Sequence, residues 1–456
     1  MERTRPPILA PHKVQPVKIA ILGAGVSGLA LARALIERGH PREDLTLFEA
    51  ASKAGGLCGS RTVDGYTYDV AGGHILFSKD PEVLAWMQEA GGGPEAFERR
   101  DRNTAIRFGE RWVQYPFENG LGDLPPEANF ECLAGYVHAW HERQASGSEA
   151  PADFGSWVRW RFGEGIARHF MDPYNEKIWK RPLTGLTSDW VAGRVPDAPV
   201  EDVLRASIGI RTEGYVHQAV FWYPKRGGFQ AITDGMANSL ADRIRLGTRV
   251  ERVARSGEGW TVDGEAFDRV VVTTPLDLVP RMVEGVPSGV AEAMEGLESN
   301  GLTTFLVALD TDEQPDLSWA YLPHHEQGPA NRVTWMSSYA TANAPEGRSS
   351  LLVEVTWPRL AGRPGPELEE EVLAGLAHAG LIRREQVLFT DRSDQERAYV
   401  VYVPGHAERR QAALEWMEGE GLIPLGRFGR YDYDNSDQCV AKARALAAEL
   451  VPRSDT

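Results

Sequence analysis

The sequence predicts an α/β protein: a Rossmann-like domain joined to an inserted helical domain and a second, mainly antiparallel sheet domain. Three observations predict it. Residues 17–49 read as strand, glycine turn, helix and strand; residues 120–190 are mainly helical in pattern; residues 300–400 carry a series of short apolar strand candidates.

The first stretch carries the most chemistry. Ile19 to Leu22 is a short apolar run of the kind that forms a fully buried strand. Gly23, Gly25 and Gly28 follow at GxGxxG spacing, then a helical pattern with Leu29, Ala32 and Leu35 at three-residue steps. A second strand, Leu45 to Phe48, ends in Glu49, 21 residues after Gly28. In this context Gly23 permits the tight turn, Gly25 lets backbone approach a pyrophosphate, and Gly28 allows close helix–strand packing. The helix N-terminus presents free N–H groups to the phosphates, and Glu49 can accept hydrogen bonds from ribose hydroxyls. Arg33, Glu37 and Arg38 interrupt the apolar run, which excludes a membrane span here.

Whole-chain properties narrow the classes. The 456 residues suffice for two or three domains, and 42% hydrophobic with 25% charged residues is ordinary for a globular protein. The net charge of −16 disfavours nonspecific nucleic-acid binding, so local arginines must meet any anionic ligand. Cys58, Cys132 and Cys439 form no CxxC pair and no metal spacing, so no metal is expected; their odd number argues against a disulfide framework and for a reducing compartment. Residues 1–16 lack the apolar core of a signal peptide and read as a flexible arm. A cytoplasmic protein with no membrane partner is expected.

Beyond Glu49, the pair Gly55–Gly56, then Ser60 and Arg61, can pass close to a second phosphate or ribose, and Arg61 could neutralise a pyrophosphate. A nicotinamide site does not need this second glycine pair; FAD, whose body is longer, does. Tyr66, Tyr68 and Val70 alternate as a hairpin and lead to Gly72-Gly73-His74. The expected divisions are a FAD-binding domain of 17–85 with 226–290 and 420–452, a helical domain over 120–200, and a substrate-binding sheet domain of 86–119 with 201–225 and 291–419.

With Gly55-Gly56-Leu57…Ser60 and Asp69…Gly72-Gly73-His74 added to the fingerprint, the chain resembles the glutathione-reductase-type flavoproteins of the amine oxidase and protoporphyrinogen oxidase group. Within that group it is similar to the UDP-galactopyranose mutases, especially the eukaryotic type. The stretches GGHILFS (72–78), WVQYPFEN (112–119), FMDPYNEKIWKRP (170–182), DWVAGRV (189–195), YPKRGGF (223–229) and GRFGRYDYDN (426–435) carry this narrower likeness in order along the chain.

The resemblance implies a flavin-dependent nucleotide-sugar mutase that interconverts pyranose and furanose forms through a covalent sugar–reduced flavin adduct. NADPH or NADH is the implied reductant. His74 would sit at the flavin edge. Arg194 and Arg332, with Tyr321 and Tyr402, would grip the diphosphate; Tyr399 is the competing choice for Tyr402. Guanidinium meets phosphate oxygens with two parallel bonds, which lysine cannot. Phe117 would stack the base, and Asn175 with Trp179, four apart on a helix, would face the sugar. Arg102 is a further candidate substrate contact. Where eukaryotic members tend to have Gln this chain has Glu118, which donates no hydrogen bond when ionised and predicts a changed nucleotide or sugar preference. Gly73, Val250, Arg427 and Asn435 complete the implied FAD contacts. The expected partner is a nucleotide-sugar substrate, not nucleic acid, with homo-oligomerisation left open. The rival reading is an FAD oxidase or desaturase of the same group; a flavin-binding protein without catalysis is the third.

Overall fold

The structure, a computed structural model, describes residues 17–191, 195, 198–212 and 219–452. The expected arm over residues 1–16 and the candidate Arg194 lie outside the described residues.

Strand Ile19–Leu22 is apolar throughout and buried on both faces, as a central parallel strand must be. It pairs in parallel with Leu45–Phe48 on one side and Arg269–Val272 on the other; Ile244–Arg245 and Leu422–Pro424 extend the sheet to five parallel strands. Helix Val26–Glu37 and the C-terminal helix Ser436–Leu450 pack against each other beside this sheet. The two glycines of closest approach are explained by their neighbours. Gly23 has φ +107°, a left-handed conformation that favours glycine. A Cβ on Gly28 would press on the Gly23 carbonyl and lie 3.2 Å from Ile21 Cγ2, so helix and strand could not approach as they do.

The helical region contains Pro126–Ser146, Phe154–Ile166 and Asp172–Trp179. The first two pack through backbone: a Cβ on Gly135 would lie 3.0 Å from Gly165 N, and Gly163, at φ +77°, kinks the second helix where it meets Gly135. The seven-stranded sheet runs in the order Val387–Val400, Ser299–Leu309, Ser349–Pro358, Arg332–Trp335, Trp319–Tyr321, Thr104–Phe108, Arg111–Gln114. It is antiparallel except where Trp319–Tyr321 meets Thr104–Phe108. The mixed α/β architecture is the one the sequence predicts. Helix Pro81–Ala90 ends where three glycines follow. Residues 248–250 form no strand. Strand Val387–Val400 stops before Tyr402.

Among the described residues no helix is long and apolar enough to cross a membrane.

Candidate active site

A continuous cavity of about 1490 Å³ runs from the glycine fingerprint to the helical region. Gly23, Gly25, Glu49, Gly56 and Val250 line one end, Gly73 and His74 the middle, and Phe117, Glu118, Asn175 and Trp179 the other.

At the fingerprint end two glycine turns lie against each other. Gly55 N–H donates to the Ala24 carbonyl (2.9 Å), and a Cβ on Gly56 would lie 3.2 Å from Gly25 Cα. Bare backbone therefore forms the floor of this end. Glu49 accepts from Ala24 N–H and Ala51 N–H, both at 2.8 Å, which fixes the carboxylate beside the turn. Asn435 stands at the N-cap of the C-terminal helix, and Gln438 Oε1 accepts its backbone N–H at 2.9 Å. Arg427 donates to the Ala398 (2.7 Å) and Asp434 (3.1 Å) carbonyls and lies over the Tyr433 ring. Buried His74 Nδ1, Thr274 Oγ1 and Arg427 Nε have no hydrogen-bond partner, and all three residues line this cavity. Orphaned polar atoms around a glycine-floored channel fit a bound dinucleotide flavin, which would supply the missing partners.

His74 is held by Asp69, a fully buried residue whose carboxylate also accepts from Ser60 Oγ (2.7 Å), Tyr223 OH (2.8 Å) and Phe229 N–H (3.1 Å). Burial pushes the His74 imidazole below its usual pKa, with Asp69 opposing, so the ring is neutral at pH 7. Glu354 plays the matching role on the other side. It is fully buried in strand Ser349–Pro358 and binds Arg332 through Nε and Nη2, each at 2.6 Å. It also accepts from Gly73 N–H (3.2 Å) and Tyr399 OH (3.4 Å). Burial opposes the Arg332 charge, but Glu354 and the surrounding tyrosines outweigh it and hold the guanidinium well above its ordinary range. Arg332 keeps Nη1 for a ligand in the cavity it lines.

Arg332, Tyr321 and Arg102 all line the cavity; the Arg102 guanidinium lies over Trp319 and Tyr115. Tyr402 does not line it. Its hydroxyl donates to Asp432 (3.3 Å) and accepts Tyr433 N–H (2.9 Å), while Tyr399 takes the place on the wall. Arg61 and Ser60 also lie off the cavity. Arg61, on the hairpin Ser60–Asp69, is paired with Asp391 of strand Val387–Val400 at 2.8 Å, and Ser60 serves Asp69 and Gln230. Gly28 acts by packing, within the first turn of the helix. Asn175 lines the cavity, but its amide is used by its own helix, donating to the Met171 carbonyl (2.8 Å) and accepting from Trp179 Nε1 (3.3 Å). Phe117 stacks on Phe170 with ring centroids 4.9 Å apart. Glu118 is buried, Oε1 has no partner, and burial raises its carboxyl to about 7, opposed by Arg161.

The sequence profile of the flavin-containing amine oxidoreductases matches residues 26–415. The chain belongs to that family. It is therefore a flavoenzyme, and FAD is the flavin its glycine channel fits. Among relatives, coproporphyrinogen III oxidase of Mycobacterium tuberculosis is 22% identical over 421 residues, covering 86% of this chain and 89% of that protein. Protoporphyrinogen oxidase 2 of Arabidopsis thaliana is 25% identical over 325 residues, covering 60% and 61%. A crystal structure of reduced UDP-galactopyranose mutase superposes with TM-score 0.88 at 26% identity, covering 96% of both chains. A putrescine oxidase structure superposes with TM-score 0.66 at 18% identity, which shows the shared fold.

Proposed function

We propose that the protein is a flavin-dependent nucleotide-sugar mutase, of the UDP-galactopyranose mutase type, that interconverts pyranose and furanose forms of a nucleotide-linked sugar. The observation that carries this reading is the half-buried Arg332, anchored by the fully buried Glu354, beside Tyr321 and Tyr399 on the cavity wall. An anchored guanidinium with hydroxyl donors suits a diphosphate; an amine carries no anion, and a porphyrinogen offers carboxylates in place of a diphosphate. The whole-chain likeness to reduced UDP-galactopyranose mutase supports it.

Bound FAD, reduced by NADPH or NADH, supplies the electron-rich ring that such a redox-neutral isomerisation needs. The protein's own groups do the rest. Arg332 Nη1 and Tyr321 OH hold the departing nucleoside diphosphate and stabilise its charge until it recombines with the sugar, and Tyr399 joins them by turning its one O–H proton from Glu354 to a phosphate oxygen. Arg194 is the second guanidinium of this proposal. Neutral His74 offers Nδ1 as a hydrogen-bonding atom at the centre of the cavity without adding positive charge. Trp179, set edge-on against Trp190 and Tyr399, gives an apolar wall that excludes water and packs a sugar ring.

The relatives named as porphyrinogen oxidases support a second reading, an FAD oxidase. Anaerobic, dithionite-reduced enzyme is incubated with UDP-galactofuranose, and then with UDP- and GDP-hexopyranoses, and the products are separated chromatographically. Ring interconversion without net flavin oxidation is expected. Failure with every nucleotide sugar, together with oxygen uptake on a porphyrinogen or an amine, would replace the mutase reading with the oxidase.

A further inference from the structure

Tyr321 begins a continuous series of aromatic rings. It meets Tyr174 at 5.1 Å, Tyr174 stacks on Phe170 at 5.3 Å, and Phe170 stacks on Phe117 at 4.9 Å. All four line the cavity. The series leads from the anion-binding wall to the far end of the cavity, a path suited to the flat base of a nucleotide whose phosphates sit at Arg332. At its end is Glu118, on the short turn Phe117–Asn119. Only 5% of its surface is exposed, its Oε1 has no hydrogen-bond partner, and it lines the cavity. A buried carboxylate oxygen without a partner is costly, and a ligand that donates to it removes that cost.

The donor pattern of the bases decides which ligand that is. An ionised carboxylate only accepts, through two oxygens side by side. Guanine has two adjacent donors on one edge, N1–H and N2–H, and can meet both oxygens. Uracil has one N–H between two carbonyls, so one carboxylate oxygen would face a carbonyl with no proton between them. Cytosine and adenine each have one exocyclic amino group beside an acceptor on that edge. Burial raises the Glu118 carboxyl to about 7 and Arg161, from helix Phe154–Ile166, opposes it, so the acceptor-only ionised form prevails above pH 7; Tyr136, from helix Pro126–Ser146, is the other titratable group acting with it.

We infer that Glu118 is a specificity-determining residue that selects a guanine nucleotide, so that the substrate is a GDP-linked sugar. The inference rests on the nucleotide-sugar reading above and deepens it.

The test is direct titration of holoenzyme with GDP, UDP, CDP and ADP at pH 8, followed by the change in flavin absorbance or fluorescence. Wild type, Glu118→Gln and Arg332→Lys are compared. GDP is expected to bind about tenfold or more tightly than UDP, the discrimination one two-bonded contact gives. Glu118→Gln, which presents one donor and one acceptor, is expected to shift the preference towards UDP, with Arg332→Lys weakening every nucleotide alike. UDP binding as tightly as GDP in the wild type, or an unchanged ratio in a folded Glu118→Gln protein, would overturn the guanine assignment. If that UDP binding still depends on Arg332, the mutase reading stands without it. Absence of binding by every nucleoside diphosphate would overturn both. The wild-type ratio alone decides if the variant does not fold.

Discussion

The pair Arg332–Glu354 is the part of the site whose energetics can be worked most directly. Glu354 is fully buried and Arg332 keeps 22% of its side-chain surface open. Two contacts of 2.6 Å join them. Removing one member of such a pair leaves a charge without its counter-charge in low dielectric, a loss of about 3–5 kcal/mol. Glu354→Leu also removes the acceptor of the Gly73 N–H, which adds about 1–3 kcal/mol. Replacing both by apolar residues of similar volume, Arg332→Met with Glu354→Leu, removes both charges at once and leaves mainly the Gly73 term. The double variant is therefore expected to be at least as stable as Glu354→Leu alone, with a coupling energy on the order of 2–4 kcal/mol. The assay is a double-mutant cycle on the flavin-loaded protein, comparing denaturation midpoints of all four proteins at one scan rate and flavin concentration. Losses that simply add would refute the argument, since they would mean that Arg332 and Glu354 are stabilised independently. In that case the anchoring of the proposed anion site would have to come from elsewhere.

Other perturbations address separate features. Gly28→Ala should lower stability by about 1–3 kcal/mol and reduce flavin retention, because its Cβ would press on the Gly23 carbonyl; the purified protein's visible spectrum reports the flavin content. Tyr399→Phe should weaken nucleoside diphosphate binding several-fold, whereas Tyr402→Phe should leave it unchanged and lower the thermal midpoint, because the Tyr402 hydroxyl serves Asp432 and Tyr433. Lys177 gives a pH signature. Its ammonium donates to the Leu322 and His324 carbonyls, each at 2.9 Å, and burial lowers its pKa from 10.5 to about 7. Between those values the unfolded chain holds a proton that the folded protein does not. Stability from this group is fully present above pH 10.5 and is lost as pH falls through about 7, a change on the order of 4–5 kcal/mol. Lys177→Met should flatten that slope in midpoints measured across the range; an unchanged slope would mean the lysine is solvated.

The cofactor end of the molecule is legible in the chain because its chemistry is local. Gly23, Gly25, Gly28 and Glu49 act within one strand–turn–helix–strand unit, and backbone geometry at each position follows from its neighbours in sequence. The substrate end is assembled from long-range strand pairing, where a three-residue step between Tyr399 and Tyr402 decides which face a side chain takes. The strand Val387–Val400 shifts register between Asn300 and Leu302 of its partner and ends before Tyr402, so even a correct strand assignment leaves that choice open. Arg61 differs for the same reason: it belongs to a hairpin whose outer face meets Asp391, far along the chain. Of the two residues that organise the cavity, Asp69 enters the sequence reading only as a motif position and Glu354 not at all, although each leaves a signal of its role. Glu354 is the one charge in the apolar run Leu351–Trp357, and Asp69 follows the alternating Tyr66 and Tyr68 where the chain turns towards Gly72. A carboxylate in a strand that is otherwise buried on both faces needs donors, and here the donors are the Gly73 backbone, Arg332 and Tyr399. Glu118 satisfies the same test in the opposite sense. It too is a buried carboxylate, but Oε1 is left without a donor, which marks it as waiting on a ligand rather than holding the fold. The distinction between Glu354 and Glu118 is therefore one of hydrogen-bond satisfaction, visible only once both side chains are placed.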